Sequence, residues 1–359
     1  MNLTKSCLAF AAIIFSHSFS QLGFAAELQQ LPTHTGGRVL VSANAAGEKS
    51  YEYSWPSIYF ETAFKGDSLM LKFDDDQNIF QLIVDGNAPV VINKPGKQDY
   101  VVQGLTEGKH QVRLEKITET QSNTGRFYGF FSEDKPTGLP KRKRQIEFIG
   151  DSYTVGYGNV SPSRECNNEE LFNTTNSQLS FGPLVAKHFN ADYQINASSG
   201  FGIVRNYNGS SPDKSLIGLY PFTLHANNYI YSSDWQPQVI VIGLGTNDFS
   251  TPLNAGERWK TRAELQQDYT NKYVQLVKSL QRKNSKAHFI LMASDKTEGE
   301  IAAQLSKVTE QLKSSGLKKI DTIIFTGLDY QGCHWHPSAK DDQLIADLLT
   351  NHLKSHKIW

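Results

Sequence analysis

The spacing of hydrophobic and polar positions changes once along the chain. Over residues 37–132, short runs that alternate between apolar and polar side chains are separated by turn residues. The pair Asp85 and Gly86 stands between two apolar runs, which is a strong signal for a hairpin. Few windows in this half repeat at helical spacing. Short strands at such intervals, without helices between them, predict an antiparallel β-sandwich.

A second pattern begins at residue 145. Five apolar runs, typical of buried parallel strands, alternate with segments whose apolar residues recur every three or four positions. The clearest helical segment covers residues 262–283, where Tyr269, Tyr273 and Leu280 fall on one face. Strands that alternate with helices predict a doubly wound parallel sheet, which is an α/β fold.

The segment SEDKPTGLPKRKRQ, rich in proline and basic residues, joins the two halves and is interpreted as a solvated linker. We therefore predict a β-sandwich domain over residues 27–140 and an α/β domain over residues 145–359. A length of 359 residues is comfortable for two domains of this kind.

The first 26 residues differ from the rest of the chain. Lys5 is followed by an apolar run of about ten residues and then by small residues that end in GFAA. This order is typical of a cleaved secretory signal peptide. A membrane anchor is the alternative, but the run is well short of the ~20 residues that a spanning helix needs. We expect an exported protein, periplasmic or extracellular.

The charge balance adds little about partners. Lysine plus arginine equals aspartate plus glutamate, at 36 each, so neither nucleic acid nor an anionic membrane is expected as a partner. A hydrophobic content of 39% and a charged content of 20% are those of an ordinary globular protein. We expect a monomer that needs no metal and no organic cofactor.

Candidate chemistry lies in four loops. Ligands of a doubly wound sheet bind beyond the carboxyl ends of its strands, where this sequence has GDSYT, NASSGFG, GLGTNDF and GCHWHPS. Ser152 is a candidate nucleophile and His336 a candidate base. Gly200 and Asn247, together with the backbone N–H of the serine, can donate hydrogen bonds to an oxyanion. We expect these four residues to meet at one edge of the sheet.

The four loops also resemble a known family. GDSYTVGYGN, NASSG, GLGTND and HWHP, in this order, resemble the four signature blocks of the SGNH (GDSL-type) hydrolases. With the upstream sandwich, SGFGIVRNYNG and GCHWHP, the chain resembles carbohydrate esterase family 2. The resemblance implies a jelly roll before a flavodoxin-like sheet, and removal of O-acetyl groups from plant polysaccharides such as xylan and glucomannan. It also implies that Ser152 attacks, that Gly200 and Asn247 complete the oxyanion hole, and that His336 is the base.

One position departs from the family pattern. SGNH enzymes commonly carry an aspartate two or three residues before the catalytic histidine, and here those positions are His334 and Cys333. A backbone carbonyl, the carboxylate of Asp329 or the ring of His334 are the alternatives for orienting His336. His334 could instead be the base itself. Two histidines without a third ligand make a poor zinc site, so no metal is expected there.

Cysteines and aromatic residues add further expectations near the same loops. Cleavage of the signal peptide would leave two cysteines, Cys166 and Cys333. We expect them to form a disulfide in an oxidising compartment, and the alternative is two buried thiols. Trp335 is a candidate wall for the substrate, because flat rings stack on sugar faces. Tyr153, Tyr157 and Tyr207 could act likewise or could simply pack.

Two other functions stay open from the sequence. The chain could hydrolyse another small acyl ester, of a lipid or of peptidoglycan, or it could be a glycan-binding protein whose catalytic domain has decayed. The missing aspartate favours decay, whereas the presence of Ser152, Gly200, Asn247 and His336 opposes it. Whether the sandwich binds glycan by itself is also open.

Overall fold

A computed structural model describes residues 28–121, 124–226 and 229–359 of the protein. The predicted signal peptide, residues 1–26, lies outside these ranges. Among the helices of the described residues, none combines the length and the apolar character that crossing a membrane would require.

The first half is built from two antiparallel sheets. The described residues form the strands β1 (Gln29–Gln30), β2 (His34–Gly36), β3 (Leu40–Ala43), β4 (Lys49–Tyr53), β5 (Tyr59–Gly66), β6 (Leu69–Asp74), β7 (Ile79–Val84), β8 (Val90–Asn93), β9 (Asp99–Val102), β10 (Gly108–Lys116) and β11 (Gly125–Ser132). One sheet has the order β3-β4-β11-β6-β9, and β1 also pairs with β11. The other has the order β2-β5-β10-β7-β8.

The alternating pattern places one face of each sheet in a shared core. Aromatic rings meet between the sheets: Phe60 lies 4.8 Å from Phe127, and Phe73 lies 5.4 Å from Phe80, measured between ring centroids. The predicted β-sandwich is therefore confirmed. Trp55 is 0% exposed, so the only tryptophan of this domain cannot serve as a sugar-binding platform.

The second half is the predicted doubly wound sheet. Its five parallel strands are β12 (Arg144–Gly150), β13 (Ala191–Ala197), β14 (Val239–Gly243), β15 (His288–Ser294) and β16 (Ile320–Phe325). They lie in the order β13-β12-β14-β15-β16, which is the 2-1-3-4-5 order of flavodoxin-like folds. The helices are α1 (Ser152–Val155), α2 (Asn168–Thr174), α3 (Phe181–His188), α4 (Leu216–Leu219), α5 (Thr246–Phe249), α6 (Arg262–Lys283), α7 (Glu300–Ser314) and α8 (Ala339–Ser355).

The helix predicted over residues 262–283 is present as α6 with the same bounds. Thr261 caps its first turn by accepting a hydrogen bond from the N–H of Glu264. On its buried face, Tyr269 donates to the carbonyl of Leu244, 2.8 Å away. This contact fixes the chain just beyond β14, at the start of the GLGTNDF loop.

The linker does more than connect the two domains. Arg142 is half-buried and contacts both Glu61 of the sandwich, at 2.6 Å, and Asp192 of the parallel sheet, at 3.1 Å. Tyr59 also donates to Asp192, at 2.7 Å. The expectation of a purely solvated linker is therefore corrected, because this arginine joins the domains by ion pairs that are largely shielded from water.

Candidate active site

Ser152 lies at the sharp turn between β12 and α1. Asp151 caps the helix through a hydrogen bond from the N–H of Tyr153 to its carboxylate, at 3.1 Å. The turn requires glycine at position 150, because any Cβ there would clash with the Oγ1 of Thr154, only 1.9 Å away. The turn places the serine hydroxyl at the carboxyl edge of the sheet, as the topology predicts.

His336 reaches the serine from the loop before α8. Its Nε2 lies 2.9 Å from the Oγ of Ser152. On the other side of the ring, Nδ1 lies 3.0 Å from the carbonyl oxygen of Cys333 and 3.2 Å from that of His334. A neutral ring with its proton on Nδ1 donates to these carbonyls and leaves Nε2 free to accept from the serine, which is the tautomer that a general base requires.

The other two alternatives for orienting His336 do not agree with the structure. The carboxylate of Asp329 instead accepts from the hydroxyl of Ser338, at 3.2 Å. The ring of His334 contacts the hydroxyl of Tyr157 through Nδ1, at 3.0 Å, and the carbonyl of Cys166 through Nε2, at 2.8 Å. Both nitrogens of His334 are thus bound away from Ser152, so its geometry does not suit a base either.

The loop that carries His336 is held in place by Arg164 and Cys166, which precede α2. A disulfide joins Cys166 to Cys333. The guanidinium of Arg164 donates to the carbonyls of Asp329, at 2.7 Å, and Tyr330, at 2.8 Å. The carbonyl that orients the imidazole therefore belongs to a residue that is covalently held.

The backbone of this loop is strained. Tyr330, His334 and Trp335 have φ angles of 51°, 51° and 62°, in the left-handed region that non-glycine residues rarely adopt. From the start of α8, Asp341 accepts hydrogen bonds from the N–H groups of Tyr330 and Ser338. Such strain persists only where the surroundings hold the backbone in place.

Ser152, Gly200 and Asn247 line one cleft, and each carries an N–H donor. Gly200 has a φ of 83°, its N–H has no acceptor among the described residues, and a Cβ there would meet nothing within 4 Å. The N–H of Ser152 lies in the first turn of α1, where it has no partner within the helix. Asn247 donates from Nδ2 to the carbonyl of Phe201, at 2.9 Å, and to Asp151, at the longer distance of 3.3 Å.

Two buried carboxylates, those of Asp151 and Asp248, order these loops. Asp248 accepts from the N–H groups of Ile203, Val204 and Arg205 at 2.9–3.0 Å, which holds the loop that begins at Gly200. Burial raises the pKa of Asp248 to about 6, and the three hydrogen bonds oppose that rise. These contacts indicate that the carboxylates act as hydrogen-bond acceptors and hold the loops around Ser152 in place.

A cleft of about 970 Å³ opens above the serine and is lined by both domains. From the sandwich come Glu119 and Gln121, and Glu119 accepts from the N–H of Ser199 at 2.8 Å. The sandwich thus forms one wall of the cleft.

Aromatic side chains also line the cleft, as the sequence indicates. Trp335 is 56% exposed, and the guanidinium of Arg164 lies 3.9 Å from its ring centroid, so one face is supported and the other is free. Tyr207 is 55% exposed, and Tyr157 packs 4.3 Å from the ring of His336. Lys296 also lines the cleft and donates to the carbonyl of Trp335.

Comparison with known proteins decides the family. The sequence model of the carbohydrate esterase 2 N-terminal domain matches residues 35–141, and that of the GDSL-like lipase/acylhydrolase family matches residues 146–349. An acetylxylan esterase / glucomannan deacetylase of Cellvibrio japonicus (strain Ueda107) is 66% identical over 344 residues, which are 95% of this chain and 96% of the relative. The chain belongs to carbohydrate esterase family 2.

Further relatives and solved structures agree with this assignment. The cellulase/esterase CelE of Acetivibrio thermocellus is 32% identical over 321 residues, which are 85% of this chain but 38% of the relative. A solved carbohydrate esterase with 66% identity superimposes with a TM-score of 0.88, covering 91% of this chain and 98% of that one. A family two carbohydrate esterase from Clostridium thermocellum, solved with cellohexaose, is 30% identical with a TM-score of 0.78, over 90% of this chain and 99% of that one.

The esterase is expected to stay active in mildly acidic solution. Burial lowers the pKa of His336 to about 4, and the nearby Lys296 adds to that shift. Because the base must be neutral, a lowered pKa moves the acid limb of kcat/KM to lower pH. We expect kcat/KM for 4-nitrophenyl acetate to fall with a midpoint near pH 4, rather than near the ~6.5 of an ordinary histidine.

The matched control for this pH profile is Asp151→Asn. Burial raises the pKa of Asp151 to about 7, so this carboxyl group also titrates in the measured range. Asparagine can cap the helix in its place. A limb near pH 6.5 that remains in Asp151→Asn would contradict the lowered pKa of His336, provided that circular dichroism shows both proteins folded throughout.

Proposed function

We propose that this esterase removes O-acetyl groups from acetylated xylan and glucomannan. The observation that carries the proposal is the 2.9 Å hydrogen bond between Ser152 and His336 at the base of the cleft. The cleft volume lies at the upper end of the range for small-molecule sites, which suits a saccharide better than a lone acyl group. The 66% identical relative is an acetylxylan esterase / glucomannan deacetylase, which supports both substrates.

Acylation begins with proton transfer. His336 takes the proton of the Ser152 hydroxyl on Nε2 while Oγ attacks the acetyl carbonyl carbon. The negative charge on the carbonyl oxygen is stabilised by the N–H groups of Ser152 and Gly200 and by Nδ2 of Asn247. To reach that oxygen, Nδ2 exchanges its long contact with Asp151 for the new hydrogen bond.

Acylation ends when the sugar leaves, and deacylation then uses the same groups with water as the attacking molecule. The imidazolium returns its proton to the sugar oxygen, the ester C–O bond breaks, and the deacetylated sugar leaves an acetyl group on Ser152. His336 then takes a proton from water, whose oxygen attacks the acetyl carbon. The imidazolium gives this proton to Oγ of Ser152 as the bond between Oγ and the acetyl carbon breaks, which releases acetate and restores the resting enzyme. A carbonyl stabilises the imidazolium less than a carboxylate would, so Cys333 acts mainly by orienting the ring.

The test is acetate release from acetylated xylan and glucomannan, beside hydrolysis of 4-nitrophenyl acetate, butyrate and octanoate. We expect release from both polysaccharides and a steep fall in rate as the acyl chain lengthens. A preference for octanoate would point to a lipid acyl hydrolase instead. A folded protein that releases no acetate but binds the polysaccharides would be a non-catalytic glycan-binding protein.

Trp335 is proposed to form a stacking platform for the sugar. We expect Trp335→Ala to raise KM for an acetylated oligosaccharide about two- to tenfold, because a stacked ring contributes about 0.5–1.5 kcal/mol beyond its buried area. Hydrolysis of 4-nitrophenyl acetate should change little, since this ester needs no sugar contact. Trp335→Phe is the matched control and should keep most of the affinity; an equal loss on both substrates would show that the ring supports the loop rather than the sugar.

We further propose that the esterase acts as an exported monomer. The Cys166–Cys333 disulfide is typical of oxidising compartments, which supports export. Sequencing the N-terminus of the mature protein from the periplasm or medium tests the cleavage near residue 26, and light scattering in solution tests the monomer.

A further inference from the structure

A cluster of histidines lies at the edge of the parallel sheet opposite to the active site. His288 begins β15, Asp321 is the second residue of β16, and His352 and His356 lie at the end of α8. The active-site loops follow the carboxyl ends of the strands, whereas this cluster lies at their amino ends. The histidines of this group therefore have no part in the esterase reaction.

The donor atoms of three of these residues converge. Asp321, His352 and His356 each offer one ligand atom, and these atoms lie within 4.8 Å of one another. The rings of His352 and His356 stack at 4.0 Å, with 26° between their planes. The edge of a tetrahedral zinc site is roughly 3.3 Å, given ligand distances of about 2.0 Å. Small side-chain rotations would therefore bring the three atoms onto one ion.

The surroundings of the carboxylate are also those of a metal ligand. Oδ2 of Asp321 lies 3.0 Å from Nε2 of His352 and 2.7 Å from Nε2 of His288. His288 can thus hold the carboxylate from outside, as residues around metal ligands commonly do. Nδ1 of His356 contacts the carbonyl of His352 at 2.9 Å, which leaves Nε2 as its ligand atom.

We propose that Asp321, His352 and His356 form a binding site for a divalent transition-metal ion of the zinc type. Two imidazoles and one carboxylate suit Zn²⁺, with water completing the coordination. The position at the C-terminus of α8 also favours a cation, because the unpaired carbonyls there carry partial negative charge. The ion would bind the last turn of α8 to β16 and so stabilise the folded chain without changing the active site.

Calorimetric titration of the untagged protein with ZnCl₂ tests the proposal. We expect one Zn²⁺ per chain, with a dissociation constant on the order of micromolar, weaker than closed four-ligand sites. His356 is exposed, so His356→Ala should fold normally, and we expect it to weaken binding at least about 100-fold, as does His352→Ala. Zinc should also raise the unfolding temperature of the wild type and leave that of His356→Ala unchanged.

Two controls separate this site from other histidines. His188→Ala removes an exposed histidine on α3 and should bind zinc like the wild type. His336→Ala removes the imidazole beside Ser152 and should also keep the single zinc site. The proposal is overturned if no zinc binds, if binding persists undiminished in His356→Ala, or if binding disappears in His336→Ala.

Discussion

Replacing Ser152 with alanine is expected to lower kcat for acetyl esters by at least roughly 10⁴-fold, the scale of loss seen when a serine nucleophile is removed. The variant keeps the backbone N–H of residue 152, Gly200 and Asn247, so the donors to the oxyanion remain while the attacking oxygen is absent. Release of 4-nitrophenol and of acetate, measured at high enzyme concentration, gives the residual rate.

A matched serine variant controls for this experiment. Ser210→Ala removes an exposed hydroxyl outside the cleft and should leave turnover unchanged. The fold of Ser152→Ala should also be intact, because no described side chain other than His336 binds its hydroxyl. Turnover by Ser152→Ala close to that of the wild type would eliminate this serine as the nucleophile.

His336→Ala is expected to cost roughly 10⁴-fold in kcat as well, since the serine and its base act as one unit. The neighbouring variant His334→Ala should lose much less, because both ring nitrogens of His334 are bound to Tyr157 and Cys166. Free imidazole should restore part of the activity of His336→Ala by entering the vacated space.

The same pair of variants can reverse the assignment. If His334→Ala loses activity by orders of magnitude and His336→Ala remains active, the base is His334 and the observed 2.9 Å contact is not the catalytic one. Measuring both variants on 4-nitrophenyl acetate removes effects on sugar binding from the comparison.

Much of the fold could be predicted because its signals are local. The helix over residues 262–283 and the five buried strands follow from the spacing of apolar side chains, which depends on the geometry of one element at a time. The pairing order of the sandwich strands could not be predicted in this way. Short strands such as β1 and β9 carry too few residues to specify their neighbours, and long-range contacts decide their positions.

The reacting residues could be predicted for a different reason. Ser152, Gly200 and Asn247 follow separate parallel strands, and such strands bring their carboxyl ends to one edge. The group that orients His336 could not be predicted, because a backbone carbonyl such as that of Cys333 has no sequence signature. Glu119 belongs to the other domain, and only the packing of the two domains places it in the cleft.

The fastened loop around His336 has a consequence for how this enzyme works without the usual aspartate. A free imidazole can rotate among several orientations, and few of them place Nε2 against the serine. In this protein the disulfide, Arg164 and the strained backbone hold the loop, and the carbonyls of that loop restrict the rotation of the ring before any substrate arrives. The conformational entropy of the base is therefore already low in the resting enzyme, and little more is lost on the way to the transition state. Substitutions that loosen this loop are therefore expected to lower the turnover number together with the stability of the loop.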